Sequence, residues 1–198
     1  MRRIAGVCGI TSQIVGLTVL LAVASSSPWF SWTGNDISVL GVEGSTTTLF
    51  NSGLILAGVL SLIFAIGLGR SLLSSRLGKL GMGSLILGSM AMSAIGIFPR
   101  TISVPHDSAS IAFFVLITVA IFLVGAAAII AMQMRWGLLS LAAGLLILAF
   151  MLVPWPWSGG AIPQLLYCLP WSLWTVVFGA VLIVRTRPVD VREGSQYA

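Results

Sequence analysis

Apolar residues fall along this chain in six long blocks, with neither the alternation of a half-buried strand nor the two-faced pattern of a soluble helix. The blocks cover about 4–26, 47–69, 80–98, 110–132, 137–153 and 162–184. Each approaches the roughly 20 residues that carry an α-helix across a hydrocarbon core. A helix satisfies its own backbone hydrogen bonds, which is why such blocks form helices in lipid. The pattern predicts an all-α polytopic membrane protein: a six-transmembrane-helix bundle over 1–184, followed by a polar tail over 185–198. The first block follows Arg2 and Arg3 and ends in Ala-Val-Ala-Ser-Ser-Ser, as a signal peptide would. Its apolar run, Ile4 to Ala24, exceeds the roughly 7–15 residues of a signal core, and we read it as the first helix.

The connections carry charge unequally. Arg2, Arg3, Arg70, Arg76, Lys79, Arg135, Arg185, Arg187 and Arg192 precede the first span, lie in alternate loops or sit in the tail, and only Arg100 falls on the other side. Basic residues are held back during insertion. The expected topology is therefore a multi-pass protein of the cell membrane with both termini cytoplasmic. The connection 133–136 is very short and makes spans four and five antiparallel neighbours.

Composition agrees with a lipid-facing surface. The chain is 58% hydrophobic and 8% charged, against about 25% charged in a soluble domain. Its 198 residues leave room for one membrane domain and short loops. The net charge of +5 suits anionic headgroups. Nucleic acid is excluded as a partner, because no basic patch has aromatics interleaved for base stacking. Cys8 and Cys168 are placed at opposite depths, too far apart for a disulfide. With a single histidine and no Cys/His cluster, no metal or other cofactor is expected.

Two spans carry informative faces. Gly53, Ala57, Ser61, Ala65 and Gly69 recur at every fourth residue of span two, a ridge on which another helix can approach closely. Gly81, Ser84 and Gly88 of span three are the expected counterpart. Pro170 interrupts span six, and Tyr167, Trp171 and Trp174 surround it at helical spacing. These three rings read either as an interfacial belt with a packing stripe or as one wall of a lipid or quinone pocket. Trp29, Trp32, Trp155 and Trp157 read as membrane anchors in the outer loops.

The outer side holds most of the candidate chemistry. Asp36, Glu43, Arg100, His106 and Asp107 lie there, with Asn51 just inside span two. Local roles exist for several. Asp107 or Ser108 is placed to cap span four, Asp36 to cap a short helix over Ile37–Gly41, and Thr48 and Asn51 to bond near the start of span two. A joint role also exists. Asp36 and Arg100 form an ion pair, Asn51 satisfies it, and His106 faces the resulting pocket. A polar cluster at the edge of hydrocarbon is costly unless its members satisfy each other. His106 is the candidate general base, oriented by Asp36 or Asp107, with Ser45, Thr46, Thr48 or Ser52 as nucleophile.

Several of these stretches recur together elsewhere. Asn35-Asp36-Ile37-Ser38-Val39-Leu40-Gly41, Leu49-Phe50-Asn51-Ser52-Gly53-Leu54-Ile55-Leu56-Ala57-Gly58, Gly96-Ile97-Phe98-Pro99, and His106 ahead of Ala112-Phe113-Phe114 resemble the archaeal and bacterial DUF998 membrane family. The resemblance covers most of the chain and implies the six-span layout. The family's broader grouping looks similar to the Frag1/DRAM-type proteins, which implies a part in lipid remodelling or membrane trafficking. The family pattern in the first loop reads Ser-Asp-Leu-Gly; here Val39 replaces the acid, and Asp36 lies three residues earlier.

These readings together make membrane lipids the expected ligands, bound, sensed or remodelled at an outward polar and aromatic site. That site comprises His106, Asp36 and Asp107 with Asn51, Arg100, Tyr167, Trp171 and Trp174. The alternatives are an intramembrane lipid hydrolase or transferase using His106, and an accessory subunit that associates with itself or with other membrane subunits. A transporter is disfavoured because no ionisable residue falls at mid-membrane.

Overall fold

The structure, a computed structural model, describes residues 1–72 and 75–184, apart from the side chains of 70–72. The polar tail with Arg185, Arg187, Asp190, Arg192 and Glu193, and the Arg70 side chain, lie outside the described residues. Six helices are long and apolar enough to cross a membrane. They are α1 (Arg2–Ser25), α2 (Thr47–Leu72), α3 (Arg76–Ile97), α4 (Ser103–Ile130), α5 (Met134–Leu152) and α6 (Ala161–Val184). A 3-10 turn, Ile37–Gly41, lies between α1 and α2, and the described residues contain no strand.

Local chemistry sets the helix ends. Ser75 caps α3, its hydroxyl oxygen accepting from the Gly78 amide at 3.1 Å. Helix α4 starts at Ser103, well before the expected 110. Pro105 falls in its first turn, where no partner is needed for a backbone N–H, so the proline is accommodated rather than excluded. Asp107 and Ser108 therefore lie inside α4 and do not cap it. Between α4 and α5 the chain reverses in three residues. Met132 adopts φ 56°, the Gln133 amide donates to Ala128 O and the Met132 amide to Ile129 O. This is a Schellman turn with methionine where glycine is usual.

Each helix packs against the next in sequence, and α6 returns to α1, so the six form a closed ring in chain order. The start of α1 lies beside the end of α6: a Cβ on Gly179 would stand 2.8 Å from Gly6 O. Both ends of the chain's described part thus share one end of the bundle, termed proximal. The loops 26–46, 98–102 and 153–160 form the distal end.

Small residues set these contacts, because lipid supplies no hydrophobic drive between helices. Their pairing differs from the expectation. A Cβ on Gly53 would stand 2.7 Å from Val19, and Ser61 bonds Ser12 at 2.7 Å, so much of the α2 ridge meets α1. Gly69 does face α3, at Met82. Gly88 faces Ile117 and Ser84 donates to Leu116 O at 2.7 Å, so this part of α3 serves α4. Helices α2 and α3 approach instead through Gly58 and Ser93.

Aromatic rings fill the ring of helices. Tyr167, Trp171 and Trp174 are buried in the core rather than arrayed in an interfacial belt. Their stripe points inward, and two of their polar atoms find partners there. Trp174 Nε1 donates to Ser140 Oγ at 2.8 Å, and the Tyr167 hydroxyl bonds Phe114 O and Thr118. Trp174 stacks on Phe178 at 4.5 Å and meets Phe64 edge-on.

Candidate ligand cavity

The first loop folds across the distal end and is tied to the start of α6. Gly159 N donates to Thr33 O and Ala161 N to Asn35 O, each at 2.9 Å. A side chain at Gly160 would strike the Asp36 carboxylate, its Cβ 2.6 Å from Oδ1. Ile37 N donates to Gln164 Oε1 at 3.0 Å, anchoring the 3-10 turn to α6. Leu40 is buried under the loop in a small cluster with Val23 and Phe50.

Asp36 precedes the turn as expected but makes no side-chain cap. Its Oδ1 accepts from Gly160 N at 2.9 Å and its Oδ2 from Arg100 Nη1 at 2.7 Å. Arg100 also lies 3.5 Å from Ser38 Oγ. The expected ion pair is therefore present, with α6's first turn as its third member. Asn51 does not join it. Its Nδ2 donates to Gly41 O at 2.9 Å and holds the far end of the 3-10 turn against α2.

His106 lies in the first turns of α4, not in an exposed loop, and is 5% exposed. Its Nδ1 is 2.8 Å from Phe98 O. A carbonyl only accepts, so Nδ1 carries a proton, and in the neutral ring Nε2 is an acceptor. The orienting partner is thus a backbone carbonyl; neither Asp36 nor Asp107 bonds His106. Asp107 is exposed on the same turn.

These groups line a cavity of about 240 Å³, whose walls include Asp36, Ser38, Arg100, His106, Asp107, Ser110 and Gln164. A second, larger cavity of about 420 Å³ adjoins it. Ile37, Phe50, Leu54, Met92, Phe113 and Cys168 line both, so the two share a wall. The larger chamber is almost wholly apolar and runs between α1 and α6. Ile14, Leu17, Leu169 and Leu173 border it and are themselves exposed on the bundle's outer face. At its polar margin Ser172 donates to Gln13 Oε1 at 2.8 Å, and Gln13 Nε2 lies 3.3 Å from Ser12 Oγ.

Of the expected site residues, the smaller cavity gathers Asp36, Arg100, His106 and Asp107. Trp171 lines the larger one, whereas Asn51, Tyr167 and Trp174 line neither. Ser45, Thr46, Thr48 and Ser52 also line neither, and Ser52 donates to Thr48 O within its own helix. Gln164 and Ser110 escaped the sequence reading. Gln164 had one available signal, being a lone amide in the first turn of an otherwise apolar span. Among the described residues no group of His, Cys, Asp and Glu has the arrangement of a metal site.

The loop motif around Asp36, the α2 motif around Asn51 and the segment from Gly96 to His106 thus converge at one end of a six-helix ring. The family profile described as "Protein of unknown function (DUF998)" matches residues 10–181. The chain belongs to the DUF998 family. The match spans α1 to α6, so in this DUF998 member the cavity lies wholly within the family region. No curated protein and no solved structure matches the chain.

Proposed function

We propose that this membrane protein binds a membrane amphiphile, with the polar head at Arg100, Asp36, His106 and Gln164 and the hydrocarbon in the chamber between α1 and α6. The observation that carries this reading is the shared wall between a polar and an apolar cavity. Ligand sites are concave, mostly apolar and equipped with a few convergent polar groups, with volumes of about 300–1,000 Å³. The larger chamber alone, at about 420 Å³, falls in that range. Its borders at Leu169 and Leu173 on α6 and Leu17 on α1 face lipid, which gives a hydrocarbon chain a lateral path.

The hydrolase or transferase reading draws on His106, whose Nδ1 is held by a carbonyl as in an oriented base. It receives no support from the four expected nucleophiles, which lie outside the cavity. Binding is therefore the better-supported function.

We further infer residence in the cell membrane with the proximal end cytoplasmic. Arg2, Arg3, Arg76, Lys79 and Arg135 belong to that end, and Arg100 to the other.

The test is photolabelling of the purified protein in nanodiscs with a lipid bearing a photoreactive group on its acyl chain. Label is expected on the residues that border the chamber, and Leu169→Trp, which fills its lipid-facing edge, is expected to reduce it several-fold. Label spread evenly over all lipid-facing helices, unchanged by Leu169→Trp, would sink the proposal.

A further inference from the structure

We propose that the occupant of this cavity is an uncharged lipid with a hydroxyl-bearing head, such as a glycerol monoester, and that His106 Nε2 accepts the hydrogen bond from that hydroxyl. This rests on the reading of the cavity as a lipid site and specifies its ligand class.

The first argument is the fixed tautomer. Phe98 O holds the proton on Nδ1 at 2.8 Å, so the neutral ring presents an acceptor at Nε2. No described residue bonds Nε2, and His106 lines the cavity while only 5% exposed. Nε2 therefore stays open to the cavity, and an occupant that covers it must donate to it or leave a buried acceptor unpaired. A methyl ether or a carboxylate offers no donor and leaves it unpaired.

The second argument is charge. The cation of the lining, Arg100, is already neutralised by Asp36 at 2.7 Å. Asp107 adds a second carboxylate to the same wall. With His106 neutral, two carboxylates face one guanidinium, and the lining carries a formal charge of −1. Arg100 is already paired, so a carboxylate or phosphate head entering here meets one surplus carboxylate, and like charges repel.

The third argument is a donor in the same lining. The Gln164 amide is oriented because its Oε1 accepts from Ile37 N at 3.0 Å. Its Nε2 group has no partner among the described residues, and Gln164 also lines the cavity. The wall therefore presents an acceptor at His106 and a donor at Gln164. A head with a hydroxyl next to an ester or second hydroxyl oxygen matches both, and its chain continues past Ile37 and Phe113 into the apolar chamber.

The experiment uses the full chain in phosphatidylcholine nanodiscs, labelled with a photoreactive monoacylglycerol. Unlabelled monoacylglycerol, its di-O-methyl ether and the fatty acid of the same chain length then compete. The monoacylglycerol is expected to compete about tenfold better than either analogue, the scale of one unmet buried hydrogen bond. His106→Asn keeps an amide donor for Phe98 O but places no acceptor where Nε2 stood. It is expected to abolish the preference for the free hydroxyls while labelling by the acyl chain persists. Equal competition by the ether, stronger competition by the fatty acid, or an unchanged preference in His106→Asn overturns the head-group assignment and leaves the lipid site standing. Absence of specific label from every probe overturns both. The competition series in the natural protein decides the question even if the variant does not fold.

Discussion

Arg100 and Asp36 stand 64 residues apart in the chain, yet Arg100 Nη1 lies 2.7 Å from Asp36 Oδ2. The two are not equivalent partners. Asp36 also accepts the Gly160 amide, so its carboxylate joins the first loop to both the α3–α4 connection and the start of α6. With side-chain exposures of 44% and 31%, the pair is screened, and its direct worth is within about 1 kcal/mol. We expect Arg100→Ala to cost less than that. Asp36→Ala also strands the Gly160 N–H and should cost about 1–2 kcal/mol. Unfolding of both variants in identical nanodiscs checks the order; equal losses would refute the bridging role.

The crossing of α1 and α6 depends on two facing glycines. A Cβ on Gly179 would lie 2.8 Å from Gly6 O, a backbone atom that cannot yield without moving the helix. Gly179→Val should therefore destabilise by about 1–3 kcal/mol. Gly83 has open space around its missing Cβ. Gly83→Ala should stabilise by about 0.5–1 kcal/mol, through backbone entropy alone. Denaturation midpoints of the two variants are expected to move in opposite directions.

A polar chain crosses the bundle between α6, α1 and α2. Ser172 donates to Gln13, Gln13 lies within 3.3 Å of Ser12, and Ser12 bonds Ser61 and Ala57 O. Interhelical hydrogen bonds in membranes average about 0.6 kcal/mol by double-mutant cycles. A cycle of Gln13→Ala and Ser172→Ala should return a coupling of that size. A coupling of zero would mean that the bond seen between α1 and α6 adds nothing to stability.

Topology is open to a direct check. A reporter active only in the cytoplasm should be active when fused after Ala198. One that needs export should be active when inserted at Glu43, in the exposed first loop. Removing Arg76, Lys79 and Arg135 together should weaken that preference, because the basic residues of the short loops set it. An inserted Glu43 reporter found in the cytoplasm would reverse the assignment.

Much of this molecule was readable without its fold. The six spans follow from block length and hydropathy, and only α4 began far from its expected start, because its first turns, with Pro105, His106 and Asp107, precede the apolar block. In the first turn a proline costs no backbone bond. The Asp36–Arg100 pair was also legible, since two opposite charges at one depth have few other partners. The partner of His106 was not legible. Phe98 O is a backbone atom, and no side-chain pattern announces it. The role of Asn51 was misplaced for the same reason, its partner being Gly41 O.

What the chain determines by itself is local: how many helices cross, where they begin to within a few residues, and which loops carry charge. Those properties follow from hydropathy and from backbone groups satisfied within each helix. Only the tertiary structure decided which face of each helix turns inward. The α2 ridge meets α1 over much of its length, the Tyr167 to Trp174 stripe fills the core, and two cavities share a wall beneath the first loop. In lipid every face of such a helix is apolar enough to be exposed, so hydropathy does not select the buried one. The selection comes from close packing of small residues and from a few hydrogen bonds between helices, which depend on the register of all six at once.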